Sequence, residues 1–196
     1  MQADLLFGLI GYTIVTCITP GPNNLILLSS GANYGFKKTI PVMLGIVLGF
    51  SVMIIIVGLG IMQVFERFPS VKAVMIWASL AYTAYLAWRI GSSSSIGKAD
   101  NKVLMTAMQG ALFQWVNAKG WVMALTAITL YAPSNSIVSV VIVALVFAIS
   151  GIPCVGIWGL AGVQFNRFLN TARRLRIFNI GMALVLIFSV LPILKI

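Results

Sequence analysis

Six long apolar runs, at roughly residues 4–30, 39–63, 71–91, 104–131, 136–161 and 176–194, are separated by short segments that hold most of the charged positions. Each run has about twenty residues or more, the length at which an apolar helix crosses a hydrocarbon core. The pattern predicts an all-α integral membrane protein with six transmembrane helices. The first run is expected to be retained rather than cleaved as a signal peptide. Met1-Gln2-Ala3-Asp4 offers no basic residue ahead of the apolar stretch, which continues through a proline motif.

The longest hydrophilic connection starts at Ser92-Ser93-Ser94-Ser95 and runs to Lys102, dividing the chain almost in half. The expected organisation is therefore a first three-helix repeat over 1–91, a cytoplasmic linker over 92–103 and a second three-helix repeat over 104–196. Three spans per half is an odd number, so the halves face opposite ways in the membrane. If they are related units, they form a 3+3 inverted repeat.

Composition agrees with this class. The chain is 60% hydrophobic and only 8% charged, with a mean hydropathy of +1.05, far from the roughly one-quarter charged residues of a soluble domain. The net charge of +10 does not indicate nucleic acid, because the basic residues lie between apolar runs rather than along one solvated face. They act as topology signals. Lys37, Lys38, Arg89, Lys98, Lys102, Arg167, Arg173, Arg174 and Arg176 fall on one side, against Arg67, Lys72 and Lys195 on the other. The positive-inside rule then places both termini on the periplasmic or extracellular side. There is no His, and the three acids Asp4, Glu66 and Asp100 lie outside the apolar interiors. Carboxylate pairs, His-based triads and His/carboxylate metal sites are unavailable, so no catalytic residue, metal site or cofactor is predicted.

Two runs are interrupted where a spanning helix should be least willing to break. In the first, Thr19-Pro20-Gly21-Pro22-Asn23-Asn24 puts two prolines within three residues, at a cost of about 3 kcal/mol each in an ordinary helix interior. Such a break survives in a bilayer only where it faces protein or a wet cavity, and broken helices at mid-membrane are a common way to hold a polar solute. The fourth run is the counterpart of the first by position, and carries Gln114-Trp115-Val116-Asn117-Ala118-Lys119 near its middle. Lys119 is the one basic residue away from a predicted membrane edge. A Lys at a helix centre costs about 2.5–3.5 kcal/mol on insertion scales, so it needs a partner or a wet cavity unless it snorkels to an interface.

These residues carry a resemblance. Thr19 to Asn24, followed by Leu28-Ser29-Ser30 and Gly35-Phe36, resembles the N-terminal signature of the LysE/RhtB family of bacterial amino-acid exporters. Gly45 and Gly49, the stretches Trp77 to Tyr82 and Tyr85 to Trp88, and Asn117-Ala118-Lys119 are similar to the same family, so the resemblance covers most of the chain. The run from Thr19 to Lys38 is most similar to the cysteine and O-acetylserine exporters. Ala118 departs from the family pattern, which has proline there, and predicts a softer second break.

The resemblance implies export of small amino acids or derivatives across the bacterial inner membrane: cysteine, O-acetylserine, homoserine, threonine or other neutral amino acids, driven by the proton gradient. The implied partners are that substrate, protons and the lipid bilayer, with self-association into a homo-oligomer left open. The residues suggest how a substrate would be held. Asn23 and Asn24 begin a half-helix whose N–H groups and positive dipole end suit an α-carboxylate. The ammonium would then face carbonyls freed near Thr16 to Thr19. Lys119 would reinforce the carboxylate contact or hold Asn23 and Asn24 in place, and it is the candidate proton carrier in the absence of buried acids. Gln114 and Asn117 are further substrate-binding candidates, although Gln114 also reads as an interhelical hydrogen bond, worth about 0.6 kcal/mol on average in a membrane.

Other features have simpler readings. Gly45 and Gly49, and Gly156, Gly159 and Gly162, are spaced for close helix packing. Tyr34, Trp88 and Tyr131 fall near span ends, where aromatic rings anchor in headgroups. Pro153 marks a kink. Cys17 and Cys154 read as small apolar fillers. The alternative is a membrane thiol–disulfide carrier, which would require these two thiols to come within bridging distance. A non-transporting membrane subunit would explain the helices but not the Pro-Gly-Pro break or Lys119.

Overall fold

The computed structural model describes residues 3–61, 67, 69–92, 104–132, 136–166 and 171–190, and within them the chain forms helices and turns. Among the described residues, eight α-helices have defined bounds: α1 (Ala3–Ile18), α2 (Pro22–Tyr34), α3 (Phe36–Ile56), α4 (Pro69–Gly91), α5 (Ala107–Phe113), α6 (Ala118–Tyr131), α7 (Ile137–Asn166) and α8 (Ala172–Val190). A helix or a pair of helices stands at each of the six predicted runs. Among the described residues, Phe36–Gly60 and Ile137–Phe165 are each long and apolar enough to cross a membrane, and the bent pair Ala3–Ile18 plus Pro22–Tyr34 makes up to three. Glu66, Lys98, Asp100, Lys102, Arg167 and Lys195, with the linker beyond Ser92, lie outside the described residues.

Helix boundaries follow from local chemistry. Pro20 has no N–H and cannot continue α1, whereas Pro22 opens α2, where its fixed φ suits a first helical position. The two helices are bent by 55° across this break. Gly35, at φ 82°, ends α2 in the left-handed region that favours glycine, and its N–H donates to the Gly31 carbonyl at 3.0 Å. A capping box starts α5. Thr106 Oγ1 accepts from the Gln109 N–H at 3.2 Å, and Gln109 Oε1 accepts from the Thr106 N–H at 2.9 Å.

The long helix α7 is central and packs against α1, α2 and α3, while α3 also packs on α5, and α4 pairs with α8. Two of these crossings bring backbones into contact. A Cβ on Gly31 would collide with the Gly159 carbonyl oxygen, and one on Gly162 with the Leu28 carbonyl oxygen. On the other crossing, a Cβ on Gly45 would collide with the Ala107 carbonyl oxygen, and one on Gly49 would lie 2.5 Å from Ala111 Cα. The close-packing reading of Gly45, Gly49 and Gly162 therefore holds. Gly156 is different, since a Cβ there would meet only Met43 Sδ at an ordinary 3.6 Å.

The buried apolar residues form two main clusters, one around Leu9, Met53, Val143 and Phe147, the other around Leu27, Val42, Ile46 and Phe113. The outer surface is also apolar. Phe7, Trp77, Trp88, Ile149 and Phe188 are each more than 60% exposed, a surface that suits lipid and would drive association in water. Tyr131 is half-buried, its ring 5.8 Å from that of Tyr12.

Candidate functional site

A cavity of about 40 Å³ lies between the two apolar clusters, where the two helix interruptions meet. Gly21, Pro22, Asn23 and Asn24 line it from the first interruption, and Asn117, Lys119 and Gly120 from the second. Phe50 and Phe147 form part of its apolar wall, with their rings 5.2 Å apart in edge-on contact.

The first interruption is closed locally. Gly21 is extended (φ −173°, ψ 176°) and leads into α2, whose first backbone bond is from the Leu25 N–H to the Gly21 carbonyl at 3.0 Å. Two carbonyls at the end of α1 accept from a side chain of α2. Asn24 Nδ2 donates to the Cys17 and Thr19 carbonyls, both at 2.8 Å. Thr16 Oγ1 donates to the Tyr12 carbonyl at 2.7 Å, and Thr19 Oγ1 to the Val15 carbonyl at 2.5 Å.

The second interruption is a short 3-10 turn, Gln114–Val116, followed by extended Asn117 (φ −93°, ψ 96°), which precedes α6. Gln114 is fully buried. Its Nε2 donates to the Gly110 carbonyl at 2.9 Å, and it makes a reciprocal amide pair with Asn23, 2.9 Å from Asn23 Nδ2 to Gln114 Oε1 and 3.1 Å from Gln114 Nε2 to Asn23 Oδ1. The break forms with Ala118 as the first residue of α6, Asn117 being extended before it and Gln114 tied across to α2.

Lys119 joins the two interruptions. Its Nζ donates to the Thr19 carbonyl at 2.7 Å and the Pro20 carbonyl at 3.4 Å. The side chain lies against Gly21, where a Cβ would come within 2.7 Å of Lys119 Cδ. An ammonium at a helix C-terminus meets the negative end of the macrodipole. Asp4, the only acid among the described residues, is exposed at the start of α1, so the partners of this cation are backbone oxygens.

Six of the nine residues singled out from sequence therefore line one cavity: Gly21, Pro22, Asn23, Asn24, Asn117 and Lys119. Thr19 and Pro20 are exposed and contribute their carbonyls to Lys119. Gln114 sits behind Asn23 rather than on the cavity wall. Cys17 and Cys154 are free thiols buried in one apolar cluster, with Cys17 also on the cavity wall. Phe50, Phe147 and Gly120 were not foreseen. Gly120 has a visible signal, a glycine beside the lone central cation, whereas the two phenylalanines resemble any other core residue.

Residues 14–191 match the family described as LysE type translocator. The chain belongs to the LysE family. It is 32% identical to the cysteine/O-acetylserine efflux protein of Escherichia coli strain K12 over 198 aligned residues, covering 98% of this chain and 99% of that protein. The protein of the same name from Shigella sonnei strain Ss046 matches with the same identity and coverage. No solved structure matches. Membership identifies this LysE-family chain as a membrane translocator related to efflux proteins, and makes translocation the activity for which the interrupted helices are to be explained.

Proposed function

We propose that the protein exports small neutral amino acids or their derivatives, with cysteine and O-acetylserine the first candidates, across the bacterial inner membrane at the expense of the proton gradient. The observation that carries this reading is the meeting of two helix starts, one from each half, at a cavity that also holds the one central cation. The N–H groups that open α2 and α6 precede the first intrahelical bonds, and neither helix has a side-chain cap. Two positive dipole ends and Lys119 suit a carboxylate. Asn23, Asn24 and Lys119, with Gln114 fixing Asn23, form the proposed site, and Lys119 is the proposed proton carrier.

The inverted repeat is part of this proposal, over 1–91 and 104–196 with 92–103 as a cytoplasmic linker. Helix adjacency supports it. Taking α1–α2 as span one and α5–α6 as span four, span one packs on span five and span four on span two, while two packs on five and three on six. Exchanging the halves leaves that scheme unchanged, and both cross-half contacts of the interrupted helices use glycine against backbone. A cavity of about 40 Å³ has room for about three waters, so a solute of amino-acid size enters only after these helices separate. Alternating separation on the two sides is the proposed transport cycle.

The test is accumulation in proteoliposomes against a panel of amino acids, with and without an imposed pH gradient. Gradient-dependent transport of cysteine, O-acetylserine or another small neutral amino acid is expected, and no transport of any panel member would refute the reading. Orientation is tested with single cysteines in a variant lacking Cys17 and Cys154. Thr171→Cys should label from the cytoplasm and Ser136→Cys from outside, and the reverse pattern would invert the proposed topology.

A further inference from the structure

We infer that Asn117 Oδ1 is the acceptor for the substrate's α-ammonium, which makes Asn117 the residue that distinguishes an amino acid from the same acid without its amino group. The inference rests on the exporter reading and adds to it the half of the substrate that the site's positive groups leave unexplained.

Five other oxygens around the cavity are already engaged. The carbonyls of Cys17 and Thr19 receive Asn24 Nδ2, and those of Thr19 and Pro20 receive Lys119 Nζ. Asn23 Oδ1 receives Gln114 Nε2, and Gln114 Oε1 receives Asn23 Nδ2. Asn117 is 3% exposed and lines the cavity, yet its Oδ1 has no hydrogen-bond partner. A buried amide oxygen left unpaired costs about 1–3 kcal/mol, so such a group calls for an explanation, and for one on a residue that lines a cavity a bound partner supplies it.

The orientation of this amide is fixed by its neighbours. Gln114 must present its NH₂ to the Gly110 carbonyl, so its Oε1 faces Asn23 and Asn117. Asn117 must then turn Nδ2 toward Gln114 Oε1, 3.5 Å away, which leaves Oδ1 as the free end. The residue also stands at the start of α6 without capping it. An asparagine in that position ordinarily accepts from the first turn, with a gain of about 1 kcal/mol. Here that bond is not made, and the oxygen is enclosed and unpaired in this closed arrangement, to be reached by a ligand only when the helices separate. A carboxylate at the helix starts and an ammonium on Asn117 Oδ1 place the two ends of a zwitterion on one short segment, with the substrate side chain directed to the apolar wall.

The experiment compares an amino acid with its deamino counterpart as competitors of transport, using L-cysteine and 3-mercaptopropionate, or the equivalent pair for whichever panel member the wild-type protein exports. In wild type the deamino compound should compete about 10- to 100-fold more weakly, the range expected for loss of a hydrogen bond to a charged group. Asn117→Leu should bring the two compounds to within about threefold by weakening the amino acid alone. Asn117→Asp, which keeps an oxygen acceptor, should retain the preference. If Asn117→Leu does not transport, the same two ligands are compared by the shift they produce in the melting temperature of the purified protein. A leucine variant that keeps the wild-type ratio, or in which both ligands weaken together, overturns the inference, as does a wild-type protein indifferent to the amino group. Failure of the wild-type protein to export any amino acid overturns the exporter reading itself and the inference with it.

Discussion

The two helix interruptions do the same thing by different means. The first, between α1 and α2, is written in residues that no helix absorbs: Pro20 and Pro22 flank an extended Gly21, and the chain bends by 55°. The second, before α6, is made from residues that are ordinary in helices, Gln114, Trp115, Val116 and Ala118, with Asn117 extended between them. The first break would exist in isolation. The second is held by tertiary bonds, from Gln114 to Asn23 across the interface and from Lys119 to the end of α1. One half of the site is therefore rigid by composition, and the other takes its shape from the first.

The sharpest way to break this dependence is at Lys119. Lys119→Met keeps most of the side-chain length but removes the cation that ties α6 to the Thr19 and Pro20 carbonyls, and export should be abolished or nearly so at normal membrane abundance. Lys119→Arg should recover only part of it, because a planar fork fits two carbonyls differently from a compact ammonium. Lys37→Met, at an exposed position far along the chain, should leave transport unchanged. Efflux assays on the three variants at matched expression check this, and wild-type export by Lys119→Met would remove the cation from the site.

Gln114→Leu should have the next largest effect. It leaves Asn23 without its buried amide partner, with an expected stability loss of about 1–3 kcal/mol and a clear fall in transport. Since the two amides satisfy each other, the double variant Asn23→Leu/Gln114→Leu should lose less stability than the sum of the singles by about 1 kcal/mol. Thermal unfolding in detergent measures the coupling, and strict additivity would show that the pair does not tie the interruptions together.

A smaller effect of opposite sign is expected at Ala118. It occupies the first position of α6, where proline is compatible, and the preceding Asn117 already has the extended backbone that proline imposes on its neighbour. Ala118→Pro should therefore be tolerated and stabilise by about 0.4–1 kcal/mol, turning the second break into one fixed by composition like the first. A lower melting temperature would show that the softness of the second interruption is required by the fold. The smallest effect is expected for Cys154→Ala, which lies away from the cavity wall. Efflux should persist, whereas a thiol–disulfide carrier would lose all activity.

Sequence reasoning reached the elements whose chemistry is local. The six helical regions follow from runs of apolar residues, the first interruption from its prolines, and the need of Lys119 for a partner from the cost of a cation in an apolar stretch. What escaped depends on partners distant in sequence. The carbonyls near Thr16 to Thr19 looked open to a substrate ammonium, but Asn24 and Lys119 occupy those of Cys17, Thr19 and Pro20 in the folded chain. The Asn23–Gln114 pair spans 91 positions, and no local pattern announces it. One local signal was present and unread. Thr106 and Gln109 have the spacing of a capping box, which sets the start of α5 at Ala107 rather than at 104.

The bond from Lys119 to the Thr19 carbonyl links positions 100 residues apart, and that separation is also an interval of time. A ribosome adding about 5–20 residues per second delivers Lys119 roughly 5–20 seconds after Thr19. Throughout that interval the bent α1–α2 pair must survive without its cation. The donors available to it then are those made early: the hydroxyls of Thr16 and Thr19, and the amide of Asn24 only five and seven residues from its acceptors. Thr16, Thr19 and Asn24 thus serve the newborn chain before they serve the finished one, and their substitution should reduce the yield of inserted protein more than the stability of the molecules that mature.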